Sequence, residues 1–225
     1  MATPQRVAMP PGMSPGIDAA GRAWHDCCAM PLRLVIFDLD GTLLEPMLDF
    51  AAVRAEIGLP PAAPILEAMA CMDDAGQARA RAILDRREAE AAGRSQLMPG
   101  ARDLVAHLRS RGIKVAVLTR NSRPSVDLAV RRHGLSFDAS VTRDEQNPKP
   151  SPEGVHRLMD TCGTRPEETI LVGDYRFDIE AGRGAGVRTI ALAAQAKEWA
   201  KHATWVACSL AEVQRLLDTA AQSPV

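Results

Sequence analysis

Apolar residues in this chain occur either as short solid runs or at helical spacing, and the order of the two patterns predicts the architecture. The first run is Leu32-Arg33-Leu34-Val35-Ile36-Phe37, of strand length, ending in Asp38-Leu39-Asp40-Gly41-Thr42. Solid runs of this kind suit strands buried on both faces of a parallel sheet. From residue 45 to about 95 no strand pattern is visible. Asp49 is placed to cap a short helix through Ile57, closed by Gly58 and the breaker Pro60-Pro61. Next comes an Ala-, Arg- and Glu-rich stretch, 64–92. It sets Ile65, Leu66, Met69, Met72, Ile83 and Leu84 near helical spacing, with Gly93 as its expected end. The Arg/Glu run 79–94 reads as the solvated face of that helix.

After Pro99-Gly100 a strand–helix rhythm takes over. Helices are predicted at 101–111, 123–133, 152–161, 177–185 and 210–221. Strands are predicted at 113–118, around 137–142, and at 169–172, 187–192 and 204–206. Ser122 and Ser151 stand where helix caps belong, and Pro124 and Pro152 near first turns. The alternation implies an α/β fold of right-handed βαβ units, with a parallel sheet and helices on both its faces. The predicted organisation is an N-terminal extension at 1–31, expected to be mobile, a core made of 32–44 and 96–225, and a helical insertion at 45–95.

Composition narrows the function classes. Of 225 residues 46% are hydrophobic and 24% charged, an ordinary globular balance. With 27 basic against 28 acidic residues and only 4% aromatic, there is no general pull toward nucleic acid and too little ring surface for base stacking. No apolar run approaches the roughly 18–20 residues of a membrane span. Residues 1–31 lack the apolar stretch of a signal peptide, and Met30 is a possible alternative start. The five cysteines, Cys27, Cys28, Cys71, Cys162 and Cys208, form no C-x-x-C pair, which favours a reducing, cytoplasmic setting. His25-Asp26-Cys27-Cys28 has no second ligand pair and reads as tail or surface. The glycine-rich segment 182–186 falls at a helix end, without dinucleotide-loop spacing.

Candidate chemistry lies at the strand ends, where ligands of parallel sheets sit. Asp38 and Asp40 follow the first strand, Thr119 the second, and Lys149 the segment after the third. Gly173-Asp174 ends the fourth, with Asp178 four residues on. In extended chain, residues two apart face the same side, so Asp38 and Asp40 can address one ligand, and Gly41 lets the chain turn away. Carboxylates this close call for a cation or a shared proton. A hard cation such as Mg²⁺ suits an all-oxygen set. Together these groups supply a carboxylate nucleophile, a second carboxyl for proton transfer, donors for phosphate oxygens and acids for a metal.

DLDGT at 38–42, LTRN at 118–121, the lysine of NPKPSPEG at 147–154 and GDYRFD at 173–178 resemble, in order and placement, the four motifs of the haloacid dehalogenase-like hydrolases. The resemblance spans about residues 32–208, and PKPSPE is similar to phosphoglycolate phosphatase-like members. It implies a Rossmann-like three-layer core with a central parallel sheet, plus a small α-helical cap inserted after the first strand. It also implies roles. Asp38 would form an aspartyl-phosphate, and Asp40 would protonate the leaving oxygen and then activate water. Thr119, Asn121 and Lys149 would bind phosphate. Mg²⁺ would be held by the Asp38 carboxylate, the Asp40 backbone carbonyl and Asp174, while Asp178 would support the metal or orient Lys149. Dehalogenase members lack the second carboxylate, so Asp40 argues for phosphatase or phosphomutase chemistry.

The expected activity is a Mg²⁺-dependent phosphatase acting on a small organic phosphate monoester, with the chain a monomer or homodimer. Alternatives are a phosphomutase, a phospho-acceptor module and a silent binding protein. Arg54, Arg86, Arg87 and Arg120 are candidates to meet a substrate carboxylate.

Overall fold

The computed structural model describes residues 32–195 and 197–222. The expected extension at 1–31, with its His25–Cys28 cluster, lies outside them. Within the described residues six strands form one parallel sheet: β1 Leu34–Phe37, β2 Lys114–Leu118, β3 Ala139–Val141, β4 Thr169–Gly173, β5 Arg188–Leu192 and β6 Trp205–Ala207, in the order β3-β2-β1-β4-β5-β6. Among the described residues eight α-helices accompany them: α1 Phe50–Ile57, α2 Ile65–Ala70, α3 Asp74–Arg94, α4 Ala101–Ser110, α5 Arg123–His133, α6 Glu153–Cys162, α7 Arg176–Gly184 and α8 Leu210–Gln222. This is the parallel-sheet α/β fold that the alternating pattern implied, in the Rossmann-like form that the family resemblance implied. Among the described residues no helix is long and apolar enough to cross a membrane.

The solid apolar runs are explained by the two faces of the sheet. Val35, Phe37, Val115, Val117, Ile170 and Val172 point into one core with α4, α5 and α8. Leu34, Ile36, Ala116, Leu118 and Leu171 point into the other with α6 and α7. Period-two alternation therefore divides one hydrophobic run between two layers. Fully burying each such side chain is worth roughly 1.5–3 kcal/mol. Sheet register then fixes which residues meet at one edge. Phe37 pairs with Val117 on one side and Val172 on the other, so Asp38, Thr119 and Asp174 emerge together just beyond.

Helices α1 to α3 are inserted between Leu44 and Leu97, which bridge one another. The two connecting strands of chain are also tied by Glu45 N to Gln96 O at 2.9 Å and Met98 N to Leu43 O at 2.9 Å. The inserted helices share a small apolar cluster of Val53, Ile65, Met69, Ala80 and Leu84.

Local expectations are corrected in this region. The stretch 64–92 is two helices, separated at Cys71–Asp73, because Asp73 caps α3 by accepting from Gly76 N at 2.7 Å. Gly93 does not end α3, which runs on to Arg94 with Ser95 as its cap. The 79–94 run is not wholly a solvated face, since Ala80, Leu84, Glu88 and Ala92 are buried along it. Ser122 begins α5 without a side-chain cap bond. Its hydroxyl instead donates to Glu88 Oε2 at 2.9 Å, and its backbone N–H meets the same oxygen at 3.0 Å, so the inserted helix caps the core helix.

Candidate active site

In this strand order the chain runs to opposite sides of β1 and β4, leaving a crevice beyond their carboxyl ends. A cavity of about 400 Å³ lies there, bounded below by the strand ends and above by the inserted helices. Asp38, Asp40, Thr119, Asn121, Lys149, Asp174 and Asp178 all line it.

Asp38 continues β1, its N–H donating to Val172 O at 2.9 Å. Its Oδ1 accepts from Leu39 N at 2.7 Å and lies 2.7 Å from Lys149 Nζ. Among the described residues no hydrogen bond occupies Oδ2, which is left to a ligand. Lys149 Nζ also lies 2.5 Å from Asp178 Oδ1 and is buried between the two carboxylates. Burial alone would lower this ammonium, but Asp178 and Asp38 outweigh it and hold Lys149 above its ordinary value. Asp178 Oδ2 accepts from Tyr175 N at 3.1 Å, closing the first turn of α7. Burial lifts Asp178 to about 6, against the lowering pull of Lys149. The same carboxyl thus caps a helix and fixes the lysine.

Two glycines allow these acids to crowd. Gly41 has φ +80°, and a Cβ there would sit 2.2 Å from Asp174 Oδ2. A Cβ on Gly173 would sit 2.2 Å from the Asp178 carboxyl carbon. Asp38, Asp174 and Asp178 each place one oxygen within 4.8 Å of the others. Burial, with Asp38 and Asp178 adding repulsion, raises Asp174 to about 7. Oxygens sharing an octahedral Mg²⁺ shell lie about 3–4 Å apart. The spacing, all-oxygen chemistry and excess negative charge therefore fit a hard divalent cation, with Asp38 and Asp174 the freer ligands because both oxygens of Asp178 are already engaged, one by Lys149 and one by Tyr175 N. The Asp40 carboxylate is not in this cluster.

Asp40 instead turns to Asn121, whose Nδ2 donates to its Oδ2 at 2.5 Å. Burial is the largest influence on Asp40. It overcomes the opposing Asn121 bond and, with repulsion from Asp38 and Glu88, lifts the carboxyl to about 6. Thr119 is buried at the end of β2 and accepts from Asn121 N at 3.2 Å, which leaves its hydroxyl proton for another acceptor. The segment leading to Lys149 is held by Glu145, which accepts from Thr142 N at 2.7 Å and Arg123 Nε at 2.8 Å.

The solid-run and motif reading missed Glu88 and Arg143. Glu88 lines the cavity, and its side chain and that of Arg143 are each 3% exposed and form an ion pair. Arg143 also pairs with Asp85. The signal was present as the four-residue spacing Ala80, Leu84, Glu88, Ala92, in which Glu88 continues an apolar stripe. The candidate arginines separate clearly. Arg86 and Arg87 pair with Glu56 and do not border the cavity. Arg120 borders it but is consumed by both oxygens of Glu67 at 2.8 and 2.9 Å, by Lys149 O, and by the Phe177 ring 4.7 Å away. Arg54 borders it while bonding Ala63 O at 3.0 Å and Phe50 O at 2.8 Å.

The chain is similar to known proteins in sequence and in fold. The family profile described as haloacid dehalogenase-like hydrolase matches residues 32–186. A haloacid dehalogenase-like hydrolase domain-containing protein of Arabidopsis thaliana is 32% identical over 173 residues, covering 72% of this chain and 71% of its own. A phosphoglycolate phosphatase of Pseudomonas putida is 31% identical over 189 residues, covering 71% and 69%. Among solved structures, a hydrolase from Pseudomonas syringae superposes with a TM-score of 0.72 at 20% identity, covering 83% of this chain and 98% of its own. That last likeness concerns the fold.

Proposed function

The chain belongs to the haloacid dehalogenase-like hydrolases, and from that premise we propose that it is a divalent-cation-dependent phosphatase releasing inorganic phosphate from an organic monoester. It is a hydrolase with phosphatase-named relatives. The finer reading rests chiefly on one arrangement: a nucleophile-capable Asp38 whose Oδ1 is fixed by Lys149 at 2.7 Å, two residues before a partly buried carboxyl lifted to about 6.

In this mechanism Asp38 Oδ2 attacks phosphorus, the bond to the ester oxygen breaks, and the protonated Asp40 carboxyl gives its proton to that oxygen. The products of this half are an alcohol and an aspartyl-phosphate. Asp40, now ionised, takes a proton from water as the water oxygen attacks phosphorus. The acyl-phosphate P–O bond breaks, restoring the Asp38 carboxylate and releasing phosphate. A carboxyl near 6 serves both directions because each protonation state is populated around neutral pH. Lys149 and the Thr119 hydroxyl offset charge on the transferring group. A Mg²⁺ held by Asp38 and Asp174, with the Asp40 carbonyl, would add charge neutralisation at the phosphoryl oxygens. Asn121 keeps Asp40 directed at the cavity.

The test is phosphate release across a panel of monoesters, with Mg²⁺ and with EDTA. Wild-type protein is expected to turn over only with the metal, and Asp38→Asn to be inactive, an amide being a poor nucleophile. Near-normal Mg²⁺-dependent turnover by pure Asp38→Asn protein would overturn the reading.

A further inference from the structure

The cavity is much larger than its catalytic floor needs, and its upper wall has a distinct chemistry. The chain has four Phe, three Trp and one Tyr, and Phe50, Tyr175 and Phe177 all border this one space. Phe177 is already engaged on its ring. The Arg120 and Arg176 guanidiniums stand 4.7 and 4.9 Å from its centroid, and Tyr175 meets it edge-on at 5.1 Å. Phe50 is 51% exposed, and Tyr175 keeps 49% exposure although its ring also meets Trp199 at 6.3 Å and the Arg176 guanidinium at 6.0 Å. Large apolar side chains left this accessible beside a cavity mark a surface awaiting an apolar partner.

The cavity is not a gap that docking of the insertion has left unfinished. Helix α3 is already joined to the core by the buried Glu88–Arg143 pair and the Glu88–Ser122 bonds, and α2 by Glu67–Arg120. Phe50 is itself placed by rigid neighbours. Asp49 caps its helix through Ala51 N at 3.0 Å and Ala52 N at 2.9 Å, and Arg54 holds the Phe50 carbonyl. A space of about 400 Å³ lies within the range that accepts drug-sized molecules. A two-carbon acid phosphate would reach the strand ends and leave the aromatic wall bare.

We propose that the alcohol portion of the substrate carries an aromatic ring, which lies against Phe50 and Tyr175 while its phosphate occupies the Asp38–Lys149 floor. This inference rests on the phosphatase reading above and specifies its substrate class. Ring-on-ring contact and the loss of wet apolar surface supply the preference.

The experiment compares kcat/KM for 2-phenylethyl phosphate, ethyl phosphate and 2-phosphoglycolate with Mg²⁺. The first two share a primary-alcohol leaving group and differ in the ring. The ring-bearing ester is expected to be favoured by about tenfold or more. Its advantage over ethyl phosphate should shrink toward unity in Phe50→Ala and in Tyr175→Ala, both exposed positions whose truncation spares the core. Equal or better use of ethyl phosphate or 2-phosphoglycolate would overturn the inference while leaving the phosphatase reading standing. Should no monoester be hydrolysed, the phosphatase reading fails separately. Calorimetric binding of 2-phenylethylphosphonate against ethylphosphonate then decides the ring preference, and equal affinities would overturn it.

Discussion

Lys149 carries more of the site's electrostatics than any other single residue. It lies between Asp38 Oδ1 and Asp178 Oδ1 at 2.7 and 2.5 Å, so replacing it leaves the buried Asp178 and the partly buried Asp38 facing each other without a cation. Lys149→Met is expected to cost roughly 3–5 kcal/mol in urea unfolding. Phosphate release should fall by about two orders of magnitude or more. Gly41 is constrained in a different way. At φ +80°, with Asp174 Oδ2 only 2.2 Å from where a Cβ would stand, Gly41→Ala must displace either the turn or the acid. Its expected signature is a Tm loss together with a weaker apparent Mg²⁺ affinity in activity titrations; an unchanged titration would show that the turn yields and Asp174 keeps its place. Both residues were legible from the motifs. Glu88 was not, because a charged residue within an Arg/Glu run looks solvated until its neighbours at four-residue spacing are seen to be buried.

Among the elements, α3 and the segment 142–149 decide how the site is held. Their boundaries were the least legible part of the sequence. Helical periodicity continues across Cys71–Asp73, so only the capping bond of Asp73 reveals that one apparent helix is two. Gly93 resembled a stop, yet the cap falls at Ser95, whose Oγ bonds Ala92 O at 2.7 Å. Long-range partners such as Glu88–Ser122 carry no local signal at all. The segment 142–149 gives a pH prediction. Glu145 is drawn below its ordinary value, the cost of burial being outweighed by bonds from Arg123 and Thr142. Because the folded carboxyl is the stronger acid, its stabilisation is complete above the unfolded value of about 4.5 and is lost as pH falls through the folded value. Glu145→Gln should therefore lower Tm at pH 7 and flatten its acid decline; parallel Tm curves for variant and wild type would refute this coupling.

For the molecule as a whole, the fold was legible because solid runs and helical spacings alternate cleanly from 96 onward, and a right-handed parallel sheet follows from that order. The gathering of the motif residues was legible because sheet register delivers the residues after β1, β2 and β4 to one side. What the sequence could not reveal is the cavity above it, since its walls combine residues from α1, α2, α3, the segment just after β2 and the start of α7 that no spacing rule brings together. The near-zero net charge of −1 likewise hides the acids gathered at the strand ends.

The central claim is that Asp38 carries the phosphoryl group and Asp40 moves the protons. It is tested most directly by acid-quenching Asp40→Asn protein with p-nitrophenyl phosphate and Mg²⁺, then locating the phosphoryl mass by peptide mass spectrometry. Since p-nitrophenolate departs without protonation, the variant should still be phosphorylated yet fail to hydrolyse the product, so the mass is expected on the peptide bearing Asp38 and absent from Asp38→Asn/Asp40→Asn protein. A phosphoryl group on any other residue, or steady turnover with Asp38 unmodified, would contradict the account.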